Sequence, residues 1–140
     1  MSFRLSAKSR AKLVGVRPEL VRVVERAIQI TTVDFIVVAG ARTQAEQDAL
    51  YAQGRTKPGP KVTWTRNSRH IGGYAVDLAP YVNGGIEWDN SGRMGLWPRL
   101  ADAMKSAARE CGVQLIWGGD WVKTPDRPHF ELHRYHDPRQ

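Results

Sequence analysis

Apolar residues first recur with a helical period: Leu20, Val23, Val24, Ala27 and Ile28 fall at i, i+3, i+4, i+7 and i+8. They form one face of a helix predicted over about 18–31, with Pro18 suited to its first turn. The run DFIVVAG at 34–40 reads as a buried strand ended by Gly40. TQAEQDALYAQG at 43–54 reads as a second helix, with Thr43 and Glu46 spaced as a capping box and Gly54 as the stop. The polar stretch from Arg55 to Asn67 carries two prolines and no period, and so long a loop in a compact domain is usually functional. In YAVDLAPYV at 74–82, alternation puts Ala75, Asp77 and Ala79 on one face of a strand and Val76 and Leu78 on the other. A carboxylate thus faces small residues, as one lining a site would. A turn-rich connection, GGIEWDNSGRMG, leads to a further amphipathic helix traced by Trp97, Leu100, Ala101, Met104, Ala107, Ala108 and Cys111 and closed by Gly112. Strands VQLIWGG and PHFELH complete the chain. Helix, strand, helix, loop, strand, helix, strand, strand is an α+β order, which predicts an antiparallel sheet flanked by helices rather than an alternating parallel fold.

Composition narrows the class. At 140 residues, with 41% hydrophobic and 25% charged residues, the chain has the content of one globular domain and neither a disordered nor a fibrous bias. Its longest apolar stretch, FIVVAGA, is far short of the roughly 20 residues of a spanning helix. The N-terminus MSFRLSAKSRAKLVG has no signal-peptide core, so cytosolic synthesis without an export signal is expected. The single cysteine, Cys111, excludes an internal disulfide and reads as a small core residue.

Charge is uneven. Of the formal +7, residues 1–30 hold +5: Arg4, Lys8, Arg10, Lys12, Arg17, Arg22 and Arg26 against Glu19 and Glu25. Such a segment favours an anionic partner, whether nucleic acid, a membrane surface or a cell-wall polymer, or simply solvates a helix face. No helix-turn-helix, RNA-recognition or zinc-finger pattern accompanies it, so specific nucleic-acid binding is not expected.

Polar residues interrupt otherwise apolar or neutral patterns at three places: His70 with Asp77, Asp126 with His129, and Arg42 after the first strand. His70, Asp77 and His129 would supply two imidazoles and one carboxylate, a donor set that suits a hydrolytic zinc site with a position left for water. Asp126, three residues before His129, could accept that water's proton without being a ligand. Plainer alternatives stand beside this one: a turn histidine making ordinary hydrogen bonds, and a strand aspartate paired with an arginine.

The wording of these segments adds to the residue chemistry. SRHIGGYAVD matches S-x-H-x-x-G-x-A-x-D through Ser68, His70, Gly73, Ala75 and Asp77, and DRPHFEL supplies a D/E-x-x-H ending through Asp126 and His129. The chain thereby resembles the zinc D,D- and L,D-peptidase group of VanY-type and VanX-type carboxypeptidases. Within that group it most resembles the phage L-alanyl-D-glutamate endopeptidases that serve as endolysins. GARTQAEQDALYAQG extends the resemblance upstream, and the whole covers roughly 18–133.

The resemblance implies a Hedgehog/DD-peptidase-like single domain over 1–140, without a separate wall-binding module. It implies one zinc ion on His70, Asp77 and His129, with Asp126 as general base and then acid. It gives Arg42 the substrate carbonyl or oxyanion, with an ion pair to a core-edge carboxylate as the plainer alternative, and Ser68 a part in orienting substrate or the loop, with a turn hydroxyl bonded to local backbone as its alternative. The implied partner is peptidoglycan, cut between L-alanine and D-glutamate, by a monomer made in the host cytoplasm that reaches the wall or periplasm once the membrane is permeabilised. Anionic envelope polymers or lipids are a further partner for the basic N-terminal segment. Gly72 and Gly73 are read as turn residues, His133 as the alternative ligand should His129 not serve, and Glu131 as a partner steadying an imidazole. Two rivals remain: a D-alanyl-D-alanine carboxypeptidase, which would need loop 55–67 to hold a terminal carboxylate, and a non-catalytic zinc-containing binding domain.

Overall fold

The computed structural model describes residues 2–63 and 65–136. In chain order the elements are helices α1 (Ala7–Lys12) and α2 (Pro18–Ile30), strand β1 (Phe35–Ala39), helix α3 (Gln44–Ala52), strands β2 (Ala75–Val82) and β3 (Gly85–Ile86), helix α4 (Leu96–Cys111), and strands β4 (Leu115–Trp117) and β5 (His129–Leu132). The sheet runs β1-β2-β5-β4 with every neighbouring pair antiparallel, as the sequence predicts, and β3 folds back on the far end of β2.

Alternation explains how one sheet carries both a core and a site. Phe35, Val37, Val76, Leu78, Phe130 and Leu132 point into the apolar core, where α2 contributes Leu20, Val23, Val24 and Ala27, and α4 contributes Leu100, Met104, Ala107 and Ala108. The alanines of α4 leave room for α2 to lie directly against it. Asp77, His129 and Glu131, one residue out of step with that set, fall on the other face. Half-buried Cys111 packs at the core edge.

The boundary signals act as read. Thr43 and Glu46 form a reciprocal capping box, and Gly112 ends α4 in the left-handed conformation. Two elements escape the periodicity. Helix α1 is too short for a pattern; Ser6 caps it, and it is fixed to the outer edge of β1 by Ser9 Oγ, which accepts from the Val37 N–H at 3.0 Å, and Lys12 Nζ, which donates to Val38 O at 3.1 Å. The hairpin into β3 turns on Asn83 and Gly84, both at positive φ, a conformation that Asn-Gly pairs favour. Polar groups tie down the described residues of loop 55–67: Gln44 Nε2 donates to Arg66 O and Gln53 Nε2 to Pro60 O, each at 3.0 Å.

Candidate active site

Asp77 and His129 are directly opposed partners in the β2 and β5 ladder, so both side chains emerge on the same face. His70 comes from the turn before β2, where its N–H donates to Ser68 Oγ and its carbonyl accepts from the Arg42 N–H at 2.8 Å. Gly72 and Gly73 follow at positive φ, and at Gly73 a Cβ would stand 2.2 Å from Gly15 O, which bears out the turn reading. The result is a convergence on one oxygen: Asp77 Oδ1 lies 3.2 Å from His70 Nε2 and 3.3 Å from His129 Nδ1. One donor atom from each of the three residues falls within 4.8 Å of the others.

The far side of each imidazole is tied. His70 Nδ1 is 2.8 Å from Gly40 O; a carbonyl only accepts, so Nδ1 carries a proton and Nε2 is the atom turned toward Asp77. The register shift of β1 between Val37 and Ala39 immediately precedes that carbonyl. His129 Nε2 donates to Glu131 Oε1 at 2.8 Å, which leaves Nδ1 for Asp77, and Glu131 in turn pairs with Arg69 at 3.2 Å. Arg69 also donates to Leu132 O at 2.9 Å. Two buried rings, each oriented by an outer acceptor and aimed at one carboxylate oxygen, fit a divalent cation well.

Electrostatics agree with the geometry. Burial alone would depress His129, but hydrogen bonds to Asp77 and Glu131, together with their charges, raise its pKa to about 9. Burial would raise Asp77, yet hydrogen bonds from His129 and His70 hold it well below the usual carboxylate range. Glu131 is likewise lowered against its burial, chiefly by His129 and then by Arg69. Asp126 goes the other way, pushed up by burial and then by the charge of Asp77.

These groups line a cleft of about 390 Å³ with Arg42, Ser68, Asp126 and Trp121. Asp126 arrives on the segment before β5; its N–H donates to Gly118 O at 2.9 Å and its carbonyl accepts from His129 N–H at 3.2 Å. Arg42 Nη1 donates to the amide of Gln47 rather than to a carboxylate. Ser68 reaches the cleft, and its hydroxyl also serves the local turn. His133 lies just past the end of β5, exposed and outside the His–Asp–His group, because the extended run that would carry it to the site stops at Leu132. Sequence reasoning passed over Arg69, Gln47, Gly118 and Trp121, whose ring centroid is 5.3 Å from that of His129. Gln47 lies inside the upstream stretch GARTQAEQDALYAQG and Arg69 inside SRHIGGYAVD, but nothing in their spacing marks either of them.

The fold and the site together define a small α+β domain with a His–Asp–His group able to hold a metal ion on a central antiparallel sheet, the architecture of a metallopeptidase. A profile of the family described as phage L-alanyl-D-glutamate peptidase matches residues 1–138. The L-alanyl-D-glutamate peptidase of Escherichia phage T5 is 35% identical over 134 residues, covering 96% of this chain and 92% of the relative. The peptidoglycan L-alanyl-D-glutamate endopeptidase CwlK of Bacillus subtilis is 37% identical over 108 residues, covering 71% of this chain and 61% of the relative. The crystal structure of the L-Ala D-Glu endopeptidase ChiX of Serratia marcescens superposes with a TM-score of 0.79 at 35% identity, covering 96% of this chain and 92% of that one. The chain belongs to the phage L-alanyl-D-glutamate peptidase family.

Proposed function

We propose that this protein is a zinc peptidase that hydrolyses the L-alanyl-D-glutamate bond of peptidoglycan stem peptides and so degrades the bacterial wall during host lysis. The observation that carries the reading is the convergence of His70 Nε2, Asp77 Oδ1 and His129 Nδ1 at the floor of a cleft that also holds a carboxylate and a guanidinium. Two imidazoles and one carboxylate are the donor set of hydrolytic zinc sites, and a zinc ion held by His70, Asp77 and His129 would supply Lewis acidity and lower the pKa of a water there.

The chain's own groups do the rest. Asp126, whose pKa burial pushes up, takes the proton of the attacking water at its carboxylate oxygen and returns it to the leaving amine. Arg42 donates to the scissile carbonyl oxygen as negative charge develops on it, a role suited to a guanidinium whose hydrogen bond runs to the neutral amide of Gln47. Ser68 sets the turn that presents His70 and borders the substrate. The enzyme works as a monomer and reaches the wall after another protein opens the membrane. Among the described residues, no helix is long and apolar enough to cross one.

The basic N-terminal segment supplies adhesion to anionic envelope polymers: Arg4, Lys8 and Lys12 line one groove of about 390 Å³ against β1. Neutralising Arg4, Lys8, Arg10 and Lys12 should weaken binding to cell envelopes at low salt, and unchanged binding would remove this role.

The deciding experiment is mass spectrometry of fragments released from purified peptidoglycan by the native protein, its chelated form and the chelated form reloaded with zinc. New N-terminal D-glutamate, lost on chelation and restored by zinc, is the expected result. Release of terminal D-alanine would make the protein a carboxypeptidase instead, and no cleavage by the zinc-loaded form would make it a binding domain.

A further inference from the structure

Gln47 is the only buried residue of α3, and none of its surface is exposed. A carboxamide with no access to water needs protein partners at both ends. Its Oε1 accepts from Arg42 Nη1 at 3.2 Å, and its Nε2 donates to Thr65 O at 2.7 Å and to Thr63 Oγ1 at 3.3 Å. A guanidinium only donates and a backbone carbonyl only accepts, so these partners dictate which way the amide points. Arg42, Thr63 and Thr65 all line the cleft, whereas Gln47 lies behind them.

We infer that Gln47 is a positioning residue that couples the Arg42 guanidinium to the cleft wall at Thr63 and Thr65, so that cation and wall keep one spacing around the bound stem peptide. This rests on the reading of Arg42 as the group facing the substrate carbonyl. The bond from Gln44 to Arg66 O that also holds this loop is exposed, whereas Gln47 acts out of water, where a hydrogen bond is stronger and its loss leaves a group unsatisfied. Residue type matters as well as burial: an isosteric glutamate could keep Arg42 but would offer Thr65 O no donor, and a leucine could serve neither.

The test uses Gln47→Glu and Gln47→Leu in the full chain, each first shown to keep the native circular dichroism. Limited trypsinolysis reads the loop directly, because Lys61 and Arg66 are exposed on it. Cleavage after these residues should accelerate roughly tenfold in both variants, in line with the loss of buried hydrogen bonds. On soluble stem-peptide fragments, Gln47→Glu should raise KM with kcat near wild type, because Arg42 stays held. Gln47→Leu should raise KM and lower kcat, each about tenfold, because cation and wall are both released. A loop as resistant as wild type in Gln47→Leu, with kcat/KM within twofold, would reduce Gln47 to a packing residue and overturn the inference. So would a fall in kcat confined to Gln47→Glu with the loop still protected. Arg42→Ala, assayed in parallel, separates the two readings: full turnover in it would discard the role of Arg42, while the protease result still decides the coupling.

Discussion

Asp77 and His129 face each other as a directly opposed pair of the β2 and β5 ladder, Oδ1 to Nδ1 at 3.3 Å. Two of the three donors therefore sit on a hydrogen-bonded sheet whose reverse face is the apolar core. A slip of one residue in that register would turn one of them toward Val76 and Phe130 and dismantle the site. Two members of the His–Asp–His group are thus fixed by the sheet, while His70 and the cleft residues Arg42, Ser68 and Asp126 come from turns and loops.

Asp126→Asn keeps the shape of the side chain and removes its ability to take a proton. Metal content, read by atomic absorption, should match wild type, while turnover of peptidoglycan should fall at least about 100-fold. Wild-type turnover in this variant would take Asp126 out of the mechanism.

Glu131→Gln leaves an acceptor for the His129 Nε2–H but removes the charge and the 3.2 Å ion pair with Arg69. Metal affinity should drop about 10–100-fold, as measured by competition with a chromophoric chelator. An unchanged affinity would make the Arg69 and Glu131 pair a matter of fold stability alone.

In the metal-free protein the pKa of His129 stands at about 9 against an ordinary 6.5, so its protonated form stabilises the fold. That contribution, up to about 3 kcal/mol, is complete below about pH 6.5 and is lost as the pH rises through about 9. Asp77, lowered instead, contributes above its ordinary range and loses that contribution as the solution turns acid. Urea unfolding of the chelated protein should therefore give lower stability at pH 9.5 than at pH 6.5. If zinc takes the His129 Nδ1 position, it displaces that proton, so loading at pH 7 should release about one proton in calorimetry across two buffers, and should raise the melting temperature. Equal stability at the two pH values would show that the histidine is not held as described.

Gly118→Ala places a Cβ 2.3 Å from Asp126 O and 3.1 Å from His129 Cβ, so the segment carrying Asp126 must move. Loss of about 1–3 kcal/mol of stability and a turnover lowered at least tenfold are expected, from thermal melts and peptidoglycan assays. Gly85→Ala, whose Cβ would meet nothing within 4 Å, is the control that should change neither.

Local patterns are legible in this chain because they depend on neighbours in sequence. The apolar faces of α2 and α4, the Thr43 and Glu46 box, the stop at Gly112 and the alternation that turns Asp77 away from Val76 and Leu78 all follow from the geometry of a few consecutive residues. His70 and Asp77, seven apart on one turn and strand, belong to that legible set. Tertiary structure decided the rest. Antiparallel pairing alone brings His129 opposite Asp77, and partners 62 residues apart, Arg69 and Glu131, leave no periodic trace because a polar contact needs only one position on each side. Gln47 looked like an ordinary helix residue until the loop folded over it, and Gly118 like an ordinary turn glycine until β5 came within a carbon's width. Periodicity reports which face of an element is buried; which polar atoms meet there is a property of the closed fold.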